Sequence, residues 1–380
     1  MNIERSIKKD IDKWLFKGKL IVIYGPRRVG KTTLVNEILA EHGKDARYIE
    51  CDNLHNRQAL EVYDDKKLRE FLGPGKIFII DEAQRVLNIG LTLKLLVDYH
   101  PDIQIIATGS SSFDLSNKIS EPLTGRAVSF TLYPISLFEL KAWMDKSGKK
   151  FDLNESLRQA LLLGSYPEIA SGKSMEPGDY LRDLSSNYLY KDVFEYEGLR
   201  KPDVLVKLLQ LLAYQVGNEV SYNELAVKLE VGRETVIRYI DLLEKAFVLF
   251  RLRPYSRNLR NEIGKKNKIY FYDLGVRNAI IGALETIDGR DDIGALWENF
   301  CVLERQKLTQ EKHWHRNPFF WRTMAGKEID YLEEYDGRLY GYEFKWGTAS
   351  YSIPREFLDA YKNSSVVVVN RANCGDFLMP

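Results

Sequence analysis

One loop constrains this chain more than anything else in it. Leu20–Tyr24 is a short apolar run of strand character, Gly25-Pro26-Arg27-Arg28-Val29-Gly30-Lys31-Thr32 follows, and Thr33–Glu41 carries helical periodicity through Leu34, Val35, Ile38 and Leu39. This is G-x-x-x-x-G-K-[ST] with a strand before it and a helix after it, the setting that gives the pattern meaning. Gly25 and Gly30 let the backbone curl so that its N–H groups face a phosphate. The helix start adds partial positive charge. The spacing therefore predicts a phosphate cradle made of Gly25, Pro26, Arg27, Arg28, Val29, Gly30, Lys31, Thr32 and Thr33. Lys31 reaches the β- and γ-phosphates of a nucleoside triphosphate, and the Thr32 hydroxyl ligates Mg²⁺.

The following segments alternate strand and helix. Ala46–Cys51 reads as a strand, and Lys76–Ile80 as a buried one ending in Asp81-Glu82. Such an apolar run suits a parallel sheet covered on both faces. Asp81 is expected in the Mg²⁺ shell. Glu82, one residue on, is placed to orient an attacking water as general base, the plainer alternative being a helix-start acid. A further strand, Ile103–Ala107, leads into Thr108-Gly109-Ser110-Ser111-Ser112, where Thr108 and Ser110 are candidates to touch the γ-phosphate or the water, the plainer alternative being simple turn residues. Ala127–Leu132 closes a five-stranded sheet. Arg126, on the loop before it, is read as a γ-phosphate sensor or arginine finger, in cis or from a neighbouring subunit, against the alternative of a solvated arginine.

The length, 380 residues, suggests two or three domains, and 44% hydrophobic residues suffice for several cores. With 55 basic and 54 acidic residues the net charge is +1, so any nucleic-acid surface must be local. No apolar run approaches the roughly 18 residues of a membrane-spanning helix. The amino terminus, with Ile3, Ile7, Ile11 and Leu15, reads as one amphipathic helix without a signal-peptide core. Cys51, Cys301 and Cys374 lie too far apart in sequence for metal or disulfide spacing, so the expected compartment is the cytoplasm.

Three blocks emerge from these patterns: 1–145, 151–262 and 263–380. In the middle block, Val204–Val216, a Ser221-x-x-Glu224 capping box, Arg233–Ala246 and the strand-like Phe247–Leu252 come in winged-helix order over about 202–256. Arg233, Arg238, Arg253, Arg257 and Arg260 could serve DNA contact, although intramolecular packing explains the same pattern. In the last block the order is strand Ile269–Tyr272, helix Ala295–Leu308, strand Phe319–Arg322, a hairpin Glu328–Glu334 and Leu339–Trp346 turned at Asp336-Gly337, helix Arg355–Tyr361 and strand Val366–Val369. Asp330 lies on one hairpin strand. Glu343 and Lys345 share a face of the next by the two-residue period. Glu298 lies on the preceding helix. Carboxylates from Glu298, Asp330 and Glu343 could hold Mg²⁺, with Lys345 steadying phosphate charge, which is a nuclease constellation. His313 and His315 face one side of a strand without a third ligand nearby.

The whole chain resembles a widespread prokaryotic ATPase family that joins an AAA-type P-loop core to a carboxy-terminal domain assigned to the PD-(D/E)xK nuclease superfamily. The resemblance rests on G-P-R-R-V-G-K-T-T-L (25–34), I-I-D-E-A-Q-R (79–85), T-G-S-S (108–111), L-T-G-R (123–126), L-Y-P-I-S (132–136), Y-F-Y-D-L-G-V-R (270–277), W-E-N (297–299), F-W-R (320–322), E-I-D (328–330) and E-F-K (343–345). Ser165 departs from it, where many relatives have a second glycine. The resemblance implies an α/β fold: a P-loop parallel sheet, a helical and winged-helix region, and a PD-(D/E)xK-like α/β domain. It implies ATP binding and hydrolysis with Mg²⁺. The leading expectation is an ATPase whose nucleotide state repositions a domain that binds or cleaves DNA or RNA. The alternatives are an ATP-gated scaffold with an inactive nuclease-like domain, and a DNA-binding regulator. No membrane partner is expected, and the oligomeric state is left open.

Overall fold

A computed structural model describes residues 2–110, 123–188, 201–256, 266–347 and 351–380. The chain divides into two compact units, one of Glu4–Tyr133 with Lys245–Phe247, the other of Met1–Ile3, Pro134–Glu244 and Val248–Pro380.

The first unit is built on five parallel strands: β1 (Leu20–Tyr24), β2 (Ala46–Glu50), β3 (Ile77–Asp81), β4 (Gln104–Gly109) and β5 (Ala127–Thr131). Their order across the sheet is β2-β3-β4-β1-β5, all pairs parallel. β1, β3 and β4 are buried at every position, as strands covered on both faces must be. Parallel strands put all their carboxyl ends on one edge, where loops can meet. β4 lies between β1 and β3, so its carboxyl end falls between the phosphate loop and the paired carboxylates. This is a P-loop NTPase fold. The amino-terminal helix is shorter than the Ile3-to-Leu15 period suggests and covers Lys8–Trp14.

The second unit holds two sheets. β6 (Glu219–Val220), β7 (Leu249–Leu252) and β8 (Asn267–Phe271) form an antiparallel set ordered β6-β8-β7. β9 (Asn317–Arg322), β10 (Glu328–Tyr335), β11 (Arg338–Phe344) and β12 (Ser364–Val369) form the other, ordered β12-β11-β10-β9, with only the β11–β12 pair parallel. The helix Ile293–Glu311 precedes β9, and the helix Arg355–Ala360 joins β11 to β12. The boundary expected at 262/263 falls between β7 and β8, which are hydrogen-bonded neighbours. Beyond β7 the chain also pairs with β9, through Phe320 N to Arg253 O at 3.0 Å and Tyr255 N to Phe320 O at 2.7 Å. The helices Pro202–Tyr214, Tyr222–Lys228 and Arg233–Lys245 stand where the periodicity puts them. Ser221 accepts from Glu224 N at 3.4 Å. Arg257 and Arg260 lie outside the described residues, as do Ser111 and Ser112.

The Gly164-Ser165 turn has a packing reason. Asp273 caps the helix Leu274–Ile280 by accepting from Val276 N at 3.0 Å, and its other oxygen accepts from Ser165 N at 2.7 Å. Gly164 sits at φ 74°, and a Cβ there would lie 2.0 Å from Asp273 Oδ1. Only glycine lets the carboxylate in.

Candidate functional site

The loop after β1 has the backbone its composition demands. Gly25 and Gly30 take φ 153° and 100°, and Arg28 takes 60°. A Cβ on Gly25 would sit 2.4 Å from Leu132 O, so the loop's first turn is pressed against the chain leaving β5. Gly30 caps the helix Lys31–His42, whose first residue is Lys31. Lys31 is 6% exposed, and its Nζ donates to Gly25 O at 2.7 Å and Pro26 O at 3.0 Å. Pro26, Arg27, Val29 and Thr33 belong to the same loop and first turn.

At the end of β3 the two acids part company. Asp81 is buried. It accepts from Thr32 Oγ1 at 3.5 Å, and also from the Tyr48 hydroxyl and Thr108 Oγ1. Burial first, and then the hydrogen bond to Asp81 and its charge, push the Tyr48 phenol far above its ordinary pKa, so it stays a donor. Glu82 adopts the left-handed conformation, φ 52°, which turns its side chain out of the strand direction. Its Oε2 accepts from Gln84 Nε2 at 2.5 Å and Ser110 Oγ at 3.3 Å, and its backbone N donates to Thr108 Oγ1 at 3.2 Å. Thr108 thus ties both acids to β4. Tyr48 and Gln84 were not singled out from sequence. Their signal was weak: Tyr48 points along an ordinary edge strand, and Gln84 is one polar residue after the acid pair. Arg5 is a further addition, since its guanidinium donates to Val29 O at 2.8 Å and to Tyr133 O.

Arg126 is corrected as a residue acting in cis. Its carbonyl accepts from Leu20 N, and β5 begins at Ala127 opposite Leu20. It therefore stands at the amino end of β1, the length of a five-residue strand or on the order of 16 Å from the phosphate loop. Its Nε donates to Asp98 Oδ1 at 2.5 Å.

The second unit does gather acids, around a lysine. Lys268, on β8, is 1% exposed. Its Nζ lies 2.7 Å from Glu298 Oε1 and 3.4 Å from Asp330 Oδ1, and it is also ion-paired with Glu328. Tyr270, two residues along the same strand, donates to Glu298 Oε1 at 2.6 Å. Asp330 Oδ2 accepts from Phe344 N at 3.0 Å. Lys345 holds Glu343 Oε1 at 2.7 Å, and Glu343 Oε2 is buried with no hydrogen-bond partner among the described residues. Burial raises Glu298 to about 8 and Glu343 to about 7, with the Asp330 charge adding to both. Lys268 itself is held well above its ordinary value. Burial opposes this, but Glu298, Asp330 and Glu328 outweigh it.

The expected Mg²⁺ set of Glu298, Asp330 and Glu343 is therefore corrected. An ammonium from the chain lies between two of its carboxylates, and Lys345 takes the third. Among the described residues no group of three His, Cys, Asp or Glu is arranged to hold a metal ion, and His313 and His315 belong to none. Lys268 and Glu328 went unflagged from sequence. A lysine in the apolar run Asn267–Phe271, in phase with Tyr270, was the available signal.

Comparison with known proteins agrees with this architecture. Residues 17–141 match the AAA domain family. Residues 154–286 match a domain of unknown function, DUF8612, and 293–375 match another, DUF4143. The uncharacterized protein Rv2008c of Mycobacterium tuberculosis is 30% identical over 354 residues, covering 91% of this chain and 74% of that one. The uncharacterized protein MJ1637 of Methanocaldococcus jannaschii is 30% identical over 351 residues, covering 80% and 73%. A Walker-type ATPase of Pyrococcus abyssi superposes with a TM-score of 0.50 at 18% identity, over 73% of this chain and 96% of that one. Among the described residues, no helix is long and apolar enough to cross a membrane.

Proposed function

We propose, from the premise that this chain belongs to one family with these mycobacterial and archaeal relatives and carries an AAA domain at 17–141, that its first unit is a Mg²⁺-dependent ATPase. The observation that carries the reading is the meeting of three strand ends. The glycine loop follows β1, Asp81 and Glu82 end β3, and Thr108 and Ser110 end the strand between them.

Each residue has a task in this scheme. The backbone N–H groups of 25–32 bind phosphate oxygens. Lys31, now donating to the carbonyls of Gly25 and Pro26, is displaced onto the phosphates when they arrive. Thr32 and Asp81, already within 3.5 Å of each other, are the pair that fits Mg²⁺. When bound, Mg²⁺ neutralises charge developing on the phosphate oxygens. Glu82 orients the attacking water and takes up its proton, while Gln84 and Ser110 fix the carboxylate. Steady-state phosphate release tests this. Glu82→Gln should bind ATP as the wild type does and turn over roughly 10²–10⁴-fold more slowly. Turnover at the wild-type rate would remove Glu82 from the role of base.

A second reading concerns the other unit. The helix before β9 and the β9-β10-β11-helix-β12 order support a PD-(D/E)xK-like fold, and the three helices of 202–245 followed by the β7–β8 ribbon support a winged helix. The Lys268 ion pairs favour a scaffold or nucleic-acid-binding module over a cleaving one. Incubation with DNA and RNA substrates and Mg²⁺ or Mn²⁺ tests this. Cleavage that disappears in Asp330→Ala would restore the nuclease.

A further inference from the structure

The acidic seat between the two sheets of the second unit differs from an ordinary surface cluster in what its oxygens already do. Glu298 Oε1 receives both Lys268 Nζ at 2.7 Å and the Tyr270 hydroxyl at 2.6 Å. Asp330 divides its oxygens between Lys268 Nζ at 3.4 Å and Phe344 N at 3.0 Å. Glu328 reaches the same ammonium, and Arg322 Nη1 backs it at 3.3 Å. Three elements thus converge on one nitrogen: β8 supplies it, the helix Ile293–Glu311 supplies Glu298, and β10 supplies Glu328 and Asp330. The aliphatic stem of Lys268 is enclosed, and its Nζ stands 5.6 Å from the centre of the Phe320 ring. A lysine so buried has no water shell to return to, so its carboxylate partners are its solvation. Among the described residues Glu343 Oε2 is buried with no hydrogen-bond partner, in a residue 4% exposed whose other oxygen takes Lys345 Nζ at 2.7 Å.

A compact +1 charge among three carboxylates does part of what a divalent cation does, without exchanging with solution. A metal entering beside it would face a buried like charge. We infer that Lys268 is the resident cation of this seat, so that the wild-type seat takes no divalent metal, and that removing its ammonium converts the same carboxylates, with the buried Glu343, into a divalent-cation site. Hard oxygen donors of this kind suit Mg²⁺ or Mn²⁺. The inference concerns the second unit alone and stands whether or not the first hydrolyses ATP.

The test uses the full-length protein without nucleotide and Mn²⁺ as the probe, read by calorimetry and by electron paramagnetic resonance of free Mn²⁺. Wild type should show no Mn²⁺ binding that depends on Asp330. Lys268→Met, which keeps the length of the stem and drops the charge, should gain one Mn²⁺ per chain, about tenfold or more tighter than any wild-type binding. Adding Asp330→Asn to it should remove the gain. Folding is checked by circular dichroism. If Lys268→Met does not fold, Lys268→Met/Glu328→Gln discards one carboxylate with the ammonium and is held to the same outcome. Stoichiometric Mn²⁺ binding by wild type that is lost in Asp330→Asn overturns the inference. So does a folded Lys268 variant that gains no Mn²⁺.

Discussion

Two buried lysines, one in each unit, are held by partners of different charge. Lys31 donates to two carbonyls of the loop it follows, at 2.7 and 3.0 Å. Lys268 is ion-paired with Glu298, Glu328 and Asp330. A phosphate can outcompete carbonyl acceptors, because its negative charge adds an ion-pair attraction to the ammonium that a neutral carbonyl lacks. It has little to offer a lysine already paired with carboxylates. The same residue type is therefore exchangeable in the first unit and fixed in the second.

The largest expected effect would break this comparison on the ATPase side. Gly25→Ala has no room, since its Cβ would lie 2.4 Å from a backbone carbonyl and its φ is 153°. Calorimetry should find no ATP uptake, and uptake at wild-type strength would mean that the loop is not the cradle. Next comes an acid of the second unit. Burial, opposed by its hydrogen bonds, raises Asp273 from 3.8 to about 6. The folded state thus holds this proton more tightly than the unfolded chain. The resulting stability is fully present below pH 4, is lost as pH rises through about 6, and amounts to about 3 kcal/mol. Denaturant titrations between pH 4 and 7 should lose that fall in Asp273→Asn, and an unchanged slope would contradict the assignment. Lys31→Ala should weaken ATP binding by about 1.5–3 kcal/mol, the worth of a charge-assisted bond, with little change in the denaturation midpoint. A large loss of stability instead would make Lys31 structural, like Lys268. The smallest effect belongs to Arg126→Ala. Its exposed pair with Asp98 is worth about 0–1 kcal/mol, and turnover of dilute protein should stay within about twofold of wild type. Turnover that rises with protein concentration in wild type, but not in the variant, would place Arg126 as a finger reaching a neighbouring copy.

Much of the first unit was legible because its chemistry is local. Eight consecutive residues dictate the loop, and an apolar run ending in Asp81-Glu82 dictates a buried strand with acids at its rim. The supports of those acids were less visible. Tyr48 and Thr108 reach Asp81 from strands 33 and 27 residues away in sequence, and only strand order decides such neighbours. Arg126 shows the converse. Its place beside a strand suggested the active edge, but a residue entering a parallel strand stands at the edge opposite to one leaving it. In the second unit, the period of two puts Glu343 and Lys345 on one face, and the structure brings their side chains together. The period gave no hint that β8 would deliver Lys268 to Glu298.

The sequence by itself determined the phosphate loop, the acid pair and the alternation of strands and helices, because backbone freedom at glycine and hydrophobic period act over a few residues. Only the tertiary structure decided which charge meets which. Lys268 lies 30 residues from Glu298 and 62 from Asp330 along the chain. A buried charge takes its character from the groups packed around it, and those are chosen by strand order and helix packing.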